Sequence, residues 1–416
     1  MKKKRVLKKI AAARERHFER HRPSGCQFAI ADSVRQLRPE EWDSLTTTSS
    51  FFLRRAYLEV LETALPEGVV PRYALAYRDG VPVAAVAMQA VTIRLDRLRK
   101  LSSRAGEKSS SEESGSRRKA RVPAPPALGK LGARVLVCGN LLSWGSHGIA
   151  MREGEDPERV WPAVAEALYR VRRADRLSGQ PSLVLVKDLE ENKWSGIESL
   201  ERFSYRPLET EPNMLLTLPA GCRSYDDYLA ALTARYRKTA KKTAQAIEKA
   251  GLQVETLNDL TPHADRIHEL YLKVHGRARI RLVTLHPQYI SALAGLLGEQ
   301  FRCTTIRDGD EILGFVTTLK DGDVAVGYYI GFDAAANQEH PIYFRLLQAV
   351  VDDAIRLGCR RISLGRTALE PKAKLGAEPV TTCCWLRHRI PVMNLVVRQL
   401  LRTITHEEAP ERKPFK

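Results

Sequence analysis

The alternation of apolar and polar positions predicts two β-hairpins that lie far apart in the chain. Residues Arg72–Val91 have the sequence RYALAYRDGVPVAAVAMQAV, in which an Arg-Asp-Gly turn separates two apolar stretches. Residues Phe301–Leu319 have the sequence FRCTTIRDGDEILGFVTTL, with the same three turn residues between two apolar stretches. Apolar runs on both sides of an Asp-Gly turn are typical of hairpins.

The same two elements follow each hairpin, which indicates an internal duplication. After the first hairpin, the pattern predicts a helix at about Trp161–Arg173 and a buried strand at Ser182–Val186. After the second, it predicts a helix at Pro341–Leu357 and a strand at Arg361–Leu364. Hairpins combined with crossover helices predict an α/β (α+β) fold with a mixed sheet, built from two similar halves.

Composition then suggests where the domains begin and end. The predicted parts are a basic tail, an N-terminal domain, a C-terminal domain and a second tail, at residues 1–24, 25–220, 221–405 and 406–416. The first domain contains a basic insertion at about 97–134. Its segment Leu101–Ala127 consists largely of Ser, Pro and charged residues that offer little to bury, so we expect it to be disordered and dispensable.

A basic helix is predicted at the start of the second domain. Ser224 begins a capping-box sequence and Gly251 is a typical helix stop, so we expect one helix of about 25 residues. Arg235, Lys238 and Lys242 would share one face of this helix. A solvated face and an anion-binding face are both compatible with this pattern.

The charge balance points to anionic partners or to a solubilising role. The chain of 416 residues has 67 Lys and Arg against 49 Asp and Glu, a net charge of +18. Most of this excess lies in the N-terminal tail and in the insertion. Such segments keep a protein soluble or attract nucleic acid or another anionic surface, and the sequence leaves both open.

Cysteine spacing and hydropathy exclude several classes of protein. The seven cysteines form no CxxC pair and no His/Cys cluster with zinc-ligand spacing, so we expect no metal site and a reducing compartment. The basic start lacks the apolar core of a secretory signal, and no apolar run approaches the roughly 20 residues of a membrane span. We therefore expect a cytoplasmic protein of unknown oligomeric state.

Four segments of the second half resemble the GNAT-fold acyltransferases of the Fem-like kind, which include peptidoglycan biosynthesis or recognition proteins. They are Tyr236-Arg237-Lys238, Asp308–Thr318, Val326–Asp333 (VGYYIGFD) and Leu364–Glu378 (LGRTALEPKAKLGAE). The first half resembles the family more weakly, through Tyr73–Ala87 and Val137–Ile149. The resemblance implies tandem GNAT-like domains that hold the acceptor between them. It also implies acyl transfer to an amino group of an amino-sugar, a peptide or a cell-envelope precursor.

The resemblance leaves the acyl donor open. GNAT enzymes usually bind the pyrophosphate of coenzyme A on backbone N–H groups of a glycine-rich loop before the central helix. The corresponding residues Asp333–Pro341 contain no glycine, as in the Fem-like enzymes that use aminoacyl-tRNA. The general habits of the fold favour acyl-CoA, which is the donor that we expect. The missing glycines and the basic surface favour the alternative, aminoacyl-tRNA. A third hypothesis is a non-catalytic protein that binds nucleic acid or a protein partner on the same fold.

Three residues are the candidates for catalysis. Tyr328 and Tyr329 lie in a predicted strand, where alternation would place them on opposite faces, so that only one faces the site. A protonated tyrosine can donate to an oxyanion or return a proton to a leaving group, and a buried core position is the alternative. Arg366 follows a strand at its C-terminal end and would neutralise an anionic group of a substrate, unless it pairs with Glu370.

Further residues are candidates for substrate binding. They are Asn140, Ser143, Arg237, Lys238, Tyr343, Thr367, Lys372 and Lys374, and for the two loop lysines surface solvation is the favoured alternative. His340 is weighed as a base against a capping role. Ser146-His147 does not complete a GxSxG hydrolase motif, because Trp144 stands at the first glycine position, and we assign it to a turn that shapes an acceptor groove. Cys383 and Cys384, one in the core and one at the surface, receive no role.

Overall fold

The computed structural model describes residues 22–94, 132–190, 193–277, 282–390, 392–394 and 410–416, and positions 11, 14, 15 and 18 before them. The segment Leu101–Ala127, for which we predict disorder, lies outside these ranges. The strands are β1 (Gln27–Ala31), β2 (Val69–Arg78), β3 (Val81–Arg94), β4 (Gly132–Cys138), β5 (Ile149–Met151), β6 (Leu183–Glu190), β7 (Arg206–Thr217), β8 (Gln253–Leu257), β9 (Phe301–Asp308), β10 (Glu311–Asp321), β11 (Val324–Phe332), β12 (Arg361–Ser363) and β13 (Ala377–His388). The helices are α1 (Pro39–Thr46), α2 (Arg55–Thr63), α3 (Pro157–Ala174), α4 (Tyr225–Ala231), α5 (Ala234–Lys249), α6 (Ala264–His275), α7 (Tyr289–Leu297), α8 (Ala334–Glu339), α9 (Ile342–Arg356) and α10 (Leu369–Lys374).

The strands of both halves join in one mixed sheet. Its order is β1-β2-β3-β4-β6-β13-β7-β12-β11-β10-β9-β8, and β5 pairs with β3 outside this path. The pairs β4 with β6 and β11 with β12 are parallel, and the other pairs are antiparallel. The predicted α/β fold with a mixed sheet is confirmed.

The sheet also displays the duplication that the hairpins predict. Read from either edge, it contains hairpin strands, a parallel pair and then a strand from the other half. The last strand of each half is exchanged, since β13 pairs with β6 and β7 pairs with β12. The two hairpins with Arg-Asp-Gly turns are β2–β3 and β9–β10.

The helices cover this sheet with apolar faces. In α3, Trp161 and Leu168 are fully buried against the first half, and in α9, Ile342 and Leu346 are fully buried against the second. A further core joins the halves, where α2 packs against α7. Burial of each large apolar side chain contributes roughly 1.5–3 kcal/mol. None of the helices in the described ranges is both long and apolar enough to span a membrane.

The single helix predicted after Ser224 is wrong in its length. The capping box at Ser224 is present, but the chain forms two helices, α4 and α5, that are separated at Leu232 and Thr233. Leu232 is extended and pairs with Phe415, and the Thr233 N–H donates to the Pro414 carbonyl at 2.8 Å. These contacts with a segment near the C-terminus replace helical hydrogen bonds, and local sequence pattern does not reveal them. Part of the predicted tail is therefore packed on the second half.

Candidate functional site

A gap opens in the sheet where the pairing of β11 and β12 ends. The last paired residues are Val326 and Ser363. Trp144, in the loop after β4, donates from Nε1 to the Ser363 hydroxyl at 2.8 Å. Gly365 has a φ of 77°, and a Cβ there would lie 3.2 Å from the Trp144 ring. Residues 139–148 of the first half therefore pack into this gap, and we call the region where they meet β11 the junction.

Tyr328 and Tyr329 both face the junction. Together they oppose the single residue Thr317 of β10, which forms a bulge in the β10–β11 ladder. The Tyr329 N–H donates to the Thr317 hydroxyl at 2.9 Å, and the two tyrosine rings lie 4.4 Å apart between centroids. The bulge interrupts the alternation of side chains, so the predicted placement on opposite faces is wrong.

The two tyrosine hydroxyls are buried and hydrogen-bonded. The Tyr329 hydroxyl donates to the Leu142 carbonyl at 2.8 Å, and the Tyr328 hydroxyl lies 2.8 Å from the hydroxyl of Tyr289. Burial raises the pKa of Tyr328 and the pKa of Tyr329 well above the ordinary tyrosine value. Both hydroxyls therefore keep their protons at neutral pH. The Tyr329 hydrogen is used by the Leu142 carbonyl, whereas Tyr328 can donate to a ligand.

The first half brings two of the predicted binding residues to the same place. Asn140 donates from Nδ2 to the Tyr57 hydroxyl at 2.6 Å, and its Oδ1 accepts from the Leu142 N–H at 2.9 Å. The Ser143 carbonyl accepts from the Lys187 ammonium at 2.6 Å. The Ser143 hydroxyl is buried and has no hydrogen-bond partner among the described residues. An unpartnered buried hydroxyl is available to a ligand or a water molecule.

Arg366 lies in an ionic cluster between the halves. Its Nη2 is 2.5 Å from Oδ1 of the fully buried Asp188 and 3.2 Å from the Thr382 hydroxyl. The Lys187 ammonium contacts the other oxygen of Asp188. Burial alone would raise the pKa of Asp188, but the charges of Lys187 and Arg366 lower it to about 2. The alternative partner Glu370 instead contacts Arg412 and Lys374.

The Ser146-His147 pair is not arranged as a nucleophile and its base. The Ser146 hydroxyl donates to the Asp188 carbonyl at 2.6 Å, whereas His147 Nε2 lies 2.8 Å from the Trp144 carbonyl. Burial lowers the pKa of His147 to about 4, so its ring is neutral at pH 7. Its second nitrogen, Nδ1, is buried and has no partner in the described ranges.

Comparison with known proteins identifies the domain family of residues 234–374, which lie in the second half. Residues 234–374 match the family model of the acetyltransferase (GNAT) domain. These residues form a GNAT domain. They include Tyr328, Tyr329, Arg366, Thr367 and Lys372, so most of the predicted site residues lie within it.

The relatives that match more than this domain are more distant. A protein named "Putative 8-amino-7-oxononanoate synthase 2", found in two strains of Mycobacterium tuberculosis, is 23% identical over 286 residues. That match covers 67% of this chain but only 36% of the relative, so the chain spans about a third of that protein.

Several solved structures resemble the chain over most of its length. FemX covers 88% of it at 10% identity with a TM-score of 0.49, and 98% of FemX is aligned. A tandem GNAT protein from the clavulanic acid biosynthesis pathway covers 87% of this chain at 11% identity with a TM-score of 0.49, and 98% of that protein is aligned. L-PGS from Bacillus licheniformis covers 82% of this chain at 12% identity with a TM-score of 0.43, and 95% of that protein is aligned.

The place where a GNAT domain usually binds a pyrophosphate is already occupied by side chains. Asp333 Oδ1 accepts from the N–H groups of Ala335 and Ala336 at 2.9 and 3.1 Å, which caps α8. Asn337 Oδ1 accepts from the Tyr343 N–H at 2.7 Å, in the first turn of α9. Asp333 also pairs with Lys273 at 3.0 Å. A pyrophosphate would compete with a carboxylate for these N–H groups, so the residues present do not fit the usual coenzyme A site.

Lys372 differs from its predicted surface position. It is only 4% exposed, and burial lowers its pKa to about 7, although Glu211 opposes the shift. The surface alternative for Lys372 is therefore wrong. Lys374 is exposed and pairs with Glu370 at 3.5 Å, as a solvated lysine does.

The other predicted residues lie away from the junction tyrosines. Lys238 is exposed on α5, and Arg237 on the same helix donates to the Ala230 carbonyl at 3.5 Å. Tyr343 packs on Phe332 with ring centroids 5.5 Å apart. The remaining positions are an exposed Thr367, a partly buried His340 at the end of α8, and Cys383 and Cys384, which are both buried.

Sequence reasoning missed Tyr57 and Tyr289, which contribute hydroxyls to the junction. Both are fully buried in the core that joins the halves. The duplication contains the signal, since each tyrosine precedes a buried leucine by four residues, Leu61 and Leu293, ahead of its hairpin. Among the described residues, no group of three or more His, Cys, Asp or Glu side chains could hold a metal ion.

Proposed function

We propose that this protein is an N-acyltransferase whose reaction takes place at the junction. The observation that carries the proposal is the meeting of two protonated hydroxyls of the GNAT domain, Tyr328 and Tyr329, with Asn140 and Ser143 of the other half. We propose an acceptor with a free amino group, on an amino-sugar, a peptide or a cell-envelope precursor. The proposed compartment is the cytoplasm.

The chemistry requires a neutral amine and a donor for the oxyanion. The amine attacks the acyl carbonyl carbon, a C–N bond forms, and the carbonyl electrons move to oxygen. Collapse of this intermediate breaks the bond to the leaving group, which takes up the proton that the amine loses. The Tyr328 and Tyr329 hydroxyls keep their own protons, because burial raises their pKa values. Tyr328 donates a hydrogen bond to the oxyanion, and Tyr329 holds the Leu142 carbonyl beside it.

For the donor, we propose an aminoacyl ester on tRNA in preference to acyl-CoA. The capping of α8 by Asp333 argues against the usual pyrophosphate site. The exposed residues Arg235, Lys238, Lys241 and Lys242 of α5 have no ion-pair partner in the part of the chain that the structure describes. Unpaired cations on one helix suit a polyphosphate backbone.

A pair of binding measurements tests the donor. Aminoacylated tRNA should bind with an affinity that falls steeply between 50 and 200 mM salt, by about 10-fold or more, because phosphate contacts release counterions. Replacement of Lys238, Lys241 and Lys242 by Ala should weaken this binding and reduce its salt dependence. Replacement of Lys374, on the exposed side of α10, is the matched control. Binding of acetyl-CoA with no binding of tRNA would restore acyl-CoA as the donor.

A substitution at the junction distinguishes an acyltransferase from a non-catalytic binding protein. Tyr328→Phe removes a hydroxyl but keeps the ring, and it should lower acyl transfer by about 100-fold if the hydroxyl stabilises the oxyanion. Tyr73→Phe removes a hydroxyl from another buried tyrosine of the first half, outside the junction, and should leave transfer unchanged. Unchanged transfer in Tyr328→Phe would remove this residue from the site. Failure to detect transfer from either donor would favour a binding protein.

A further inference from the structure

The two halves place Asn140 and Tyr328 at corresponding positions. In the first half, the parallel pairing ends with Cys138 beside Val186, and in the second half it ends with Val326 beside Ser363. Asn140 and Tyr328 each follow the last paired residue of their strand by two positions. The duplication therefore relates an amide in one half to a hydroxyl in the other.

Tyr57 and Tyr289 also correspond. Each lies in the first turn of a helix between the first and second strands of its half, α2 and α7, and each is fully buried. Their hydroxyl oxygens are 2.8 Å apart. The two equivalent tyrosines therefore contact each other across the boundary between the halves.

These four side chains form one continuous row of hydrogen bonds. Asn140 Nδ2 lies 2.6 Å from the Tyr57 hydroxyl, which lies 2.8 Å from Tyr289, which lies 2.8 Å from Tyr328. Under the duplication, the row maps onto itself in the opposite direction. Three hydroxyls alone could point their hydrogens either way along such a row. Only the difference between Asn140 and Tyr328 distinguishes its two ends.

The amide of Asn140 fixes the direction. Its Oδ1 accepts from the Leu142 N–H at 2.9 Å, so the Nδ2 group is the one that faces Tyr57, and it can only donate. Tyr57 accepts this hydrogen bond and has one hydrogen of its own, which goes to Tyr289. Tyr289 in turn donates to Tyr328. The hydrogen of Tyr328 is then directed away from the row.

The surroundings of Tyr328 agree with this direction. The neighbouring hydroxyl of Tyr329 donates its own hydrogen to the Leu142 carbonyl, so it has none to offer Tyr328. Among the described residues, the Tyr328 hydroxyl has no hydrogen-bond partner other than Tyr289. A carbonyl oxygen or oxyanion of a bound substrate can therefore accept its hydrogen.

We propose that Asn140 sets a one-way hydrogen-bond row through Tyr57 and Tyr289 that holds the Tyr328 hydroxyl as a donor to the reacting acyl group. Asn140, Tyr57 and Tyr289 are positioning residues, since they act through Tyr328. The inference rests on the proposed function for the identity of the group that accepts the Tyr328 hydrogen bond. The direction of the row is a property of the protein alone.

An isosteric substitution reverses the row. In Asn140→Asp, an ionised carboxylate can only accept, so Tyr57 must donate to residue 140, Tyr289 to Tyr57 and Tyr328 to Tyr289. The Tyr328 hydrogen then points to Tyr289 and is no longer available to the substrate. A protonated carboxyl group can donate to Tyr57 as the amide does, so low pH should restore the original direction.

Activity should therefore acquire a new pH dependence. Acyl transfer by Asn140→Asp, with the donor selected by the binding measurements, should fall by about 100-fold as pH rises through the pKa of the new carboxyl group. The unaltered protein should show no such fall in that range. A loss in Asn140→Asp that is the same at every pH would indicate a merely structural role and would overturn the proposal. If Asn140→Asp does not fold, Tyr57→Phe should lower transfer by about 10-fold independently of pH, and unchanged transfer would overturn it.

Neutron diffraction from deuterium-exchanged crystals tests the direction without any assay. In the unaltered protein, the deuterium between Tyr57 and Tyr289 should be bonded to Tyr57, and that between Tyr289 and Tyr328 to Tyr289. Crystals of Asn140→Asp at high pH should show both bonded to the opposite oxygen. A deuterium that is bonded to the Tyr328 oxygen and points to Tyr289 in the unaltered protein would contradict the inference. If the direction is as stated but no donor supports transfer, only the proposed function fails.

Discussion

Arg366 of the GNAT domain contacts Asp188 of the first half through a guanidinium nitrogen that lies 2.5 Å from the carboxylate oxygen. Asp188 is fully buried and has Lys187 as a second cationic partner. Asp188 lies near the C-terminal end of β6, two residues after its last pairing with β4, and Arg366 follows β12, the strand at the corresponding place in the other half. The ion pair therefore joins the ends of two equivalent strands across the junction.

Arg366→Ala should destabilise the protein by about 3–5 kcal/mol, because it leaves a buried carboxylate with one cation fewer. The pKa of Asp188 is lower in the folded protein than its ordinary value of 3.8, so the ionised carboxylate stabilises the folded state above about pH 3.8. This contribution is lost as the pH falls toward about 2. In Arg366→Ala, the pKa of Asp188 in the folded protein should lie closer to 3.8, so less stability should be lost between about pH 4 and pH 2. Urea denaturation between pH 2 and pH 7 measures both effects.

Arg361→Ala is the matched control for this substitution. Arg361 pairs with Asp323 at 2.9 Å, but the two side chains are 45% and 63% exposed, so its loss should change stability by about 1 kcal/mol or less. Equal effects of the two substitutions would contradict the importance of burial. An Arg366→Ala protein with full stability and no acyl transfer would instead assign Arg366 to substrate binding.

Lys372→Met should stabilise the protein, and more so at pH 6 than at pH 10. The pKa of Lys372 falls from 10.5 to about 7 in the folded protein, because burial disfavours the ammonium ion. Between these values, the unfolded chain binds more protons, so stability rises with pH, and the cost of the buried charge is fully present below about pH 7. Methionine has a similar volume and no charge. A rise in Tm of roughly 2–5 °C at pH 6 is expected.

Lys374→Met provides the comparison, since Lys374 lies on the same helix and is 45% exposed. Its Tm should change little, and equally at both pH values. A Tm difference for Lys372→Met that does not depend on pH would show that its amine is not the source of the effect. Loss of acyl transfer in the stabilised protein would support the predicted role of Lys372 in substrate binding.

The sequence predicts the fold through its repeats. The Arg-Asp-Gly turns identify β2–β3 and β9–β10, and the elements that follow each hairpin have the predicted order. Such features depend on local pattern, which a single sequence contains. The exchange of β7 and β13 depends on contacts between distant parts of the chain, so no local pattern reveals it.

The candidate site could be predicted only in part. The sequence predicts Tyr328 and Tyr329 as site residues because they lie in a motif, but the bulge opposite Thr317 that turns both toward the junction is a property of strand pairing. It predicts Arg366 as a cation at a strand end, yet its partner Asp188 is distant in sequence. Burial of Lys372 also depends on tertiary packing, because a charged residue between the half-buried Pro371 and the buried Ala373 on a short helix has no local signal that it is covered.

Deletion of residues 95–131 should leave the first half folded. Arg94 of β3 is paired with Gly132 of β4, so the two strand ends are adjacent and a two-residue Asn-Gly turn can join them. A shorter connection reduces the entropy lost on folding, so stability should be unchanged or higher by up to about 2 kcal/mol. Thermal unfolding of the deleted and full-length proteins measures this. An unfolded deletion protein would show that residues 95–131 contribute to the core.

Gly376→Ala tests the contact between the second half and the C-terminal segment. A Cβ at Gly376 would overlap the Phe415 ring, and its φ of 100° also disfavours alanine. Gly251→Ala separates these effects, because Gly251 has a φ of 72° but no atom within 4 Å of its Cβ position. Backbone strain alone should cost Gly251→Ala about 1–2 kcal/mol, and Gly376→Ala should lose more, with about 1–3 kcal/mol added by overpacking.

The double substitution Gly376→Ala with Phe415→Ala decides whether Phe415 occupies this place in solution. Phe415→Ala alone should destabilise, because the ring packs near Tyr228, at 6.0 Å between centroids, and because residue 415 pairs with Leu232. In the double variant the overlap with the ring is absent, so the loss should be smaller than the sum of the two single losses by more than about 0.5 kcal/mol. Urea denaturation of the four proteins measures this coupling. Additive losses would mean that the C-terminal segment does not cover Gly376, and the separation of α4 from α5 would then need another cause.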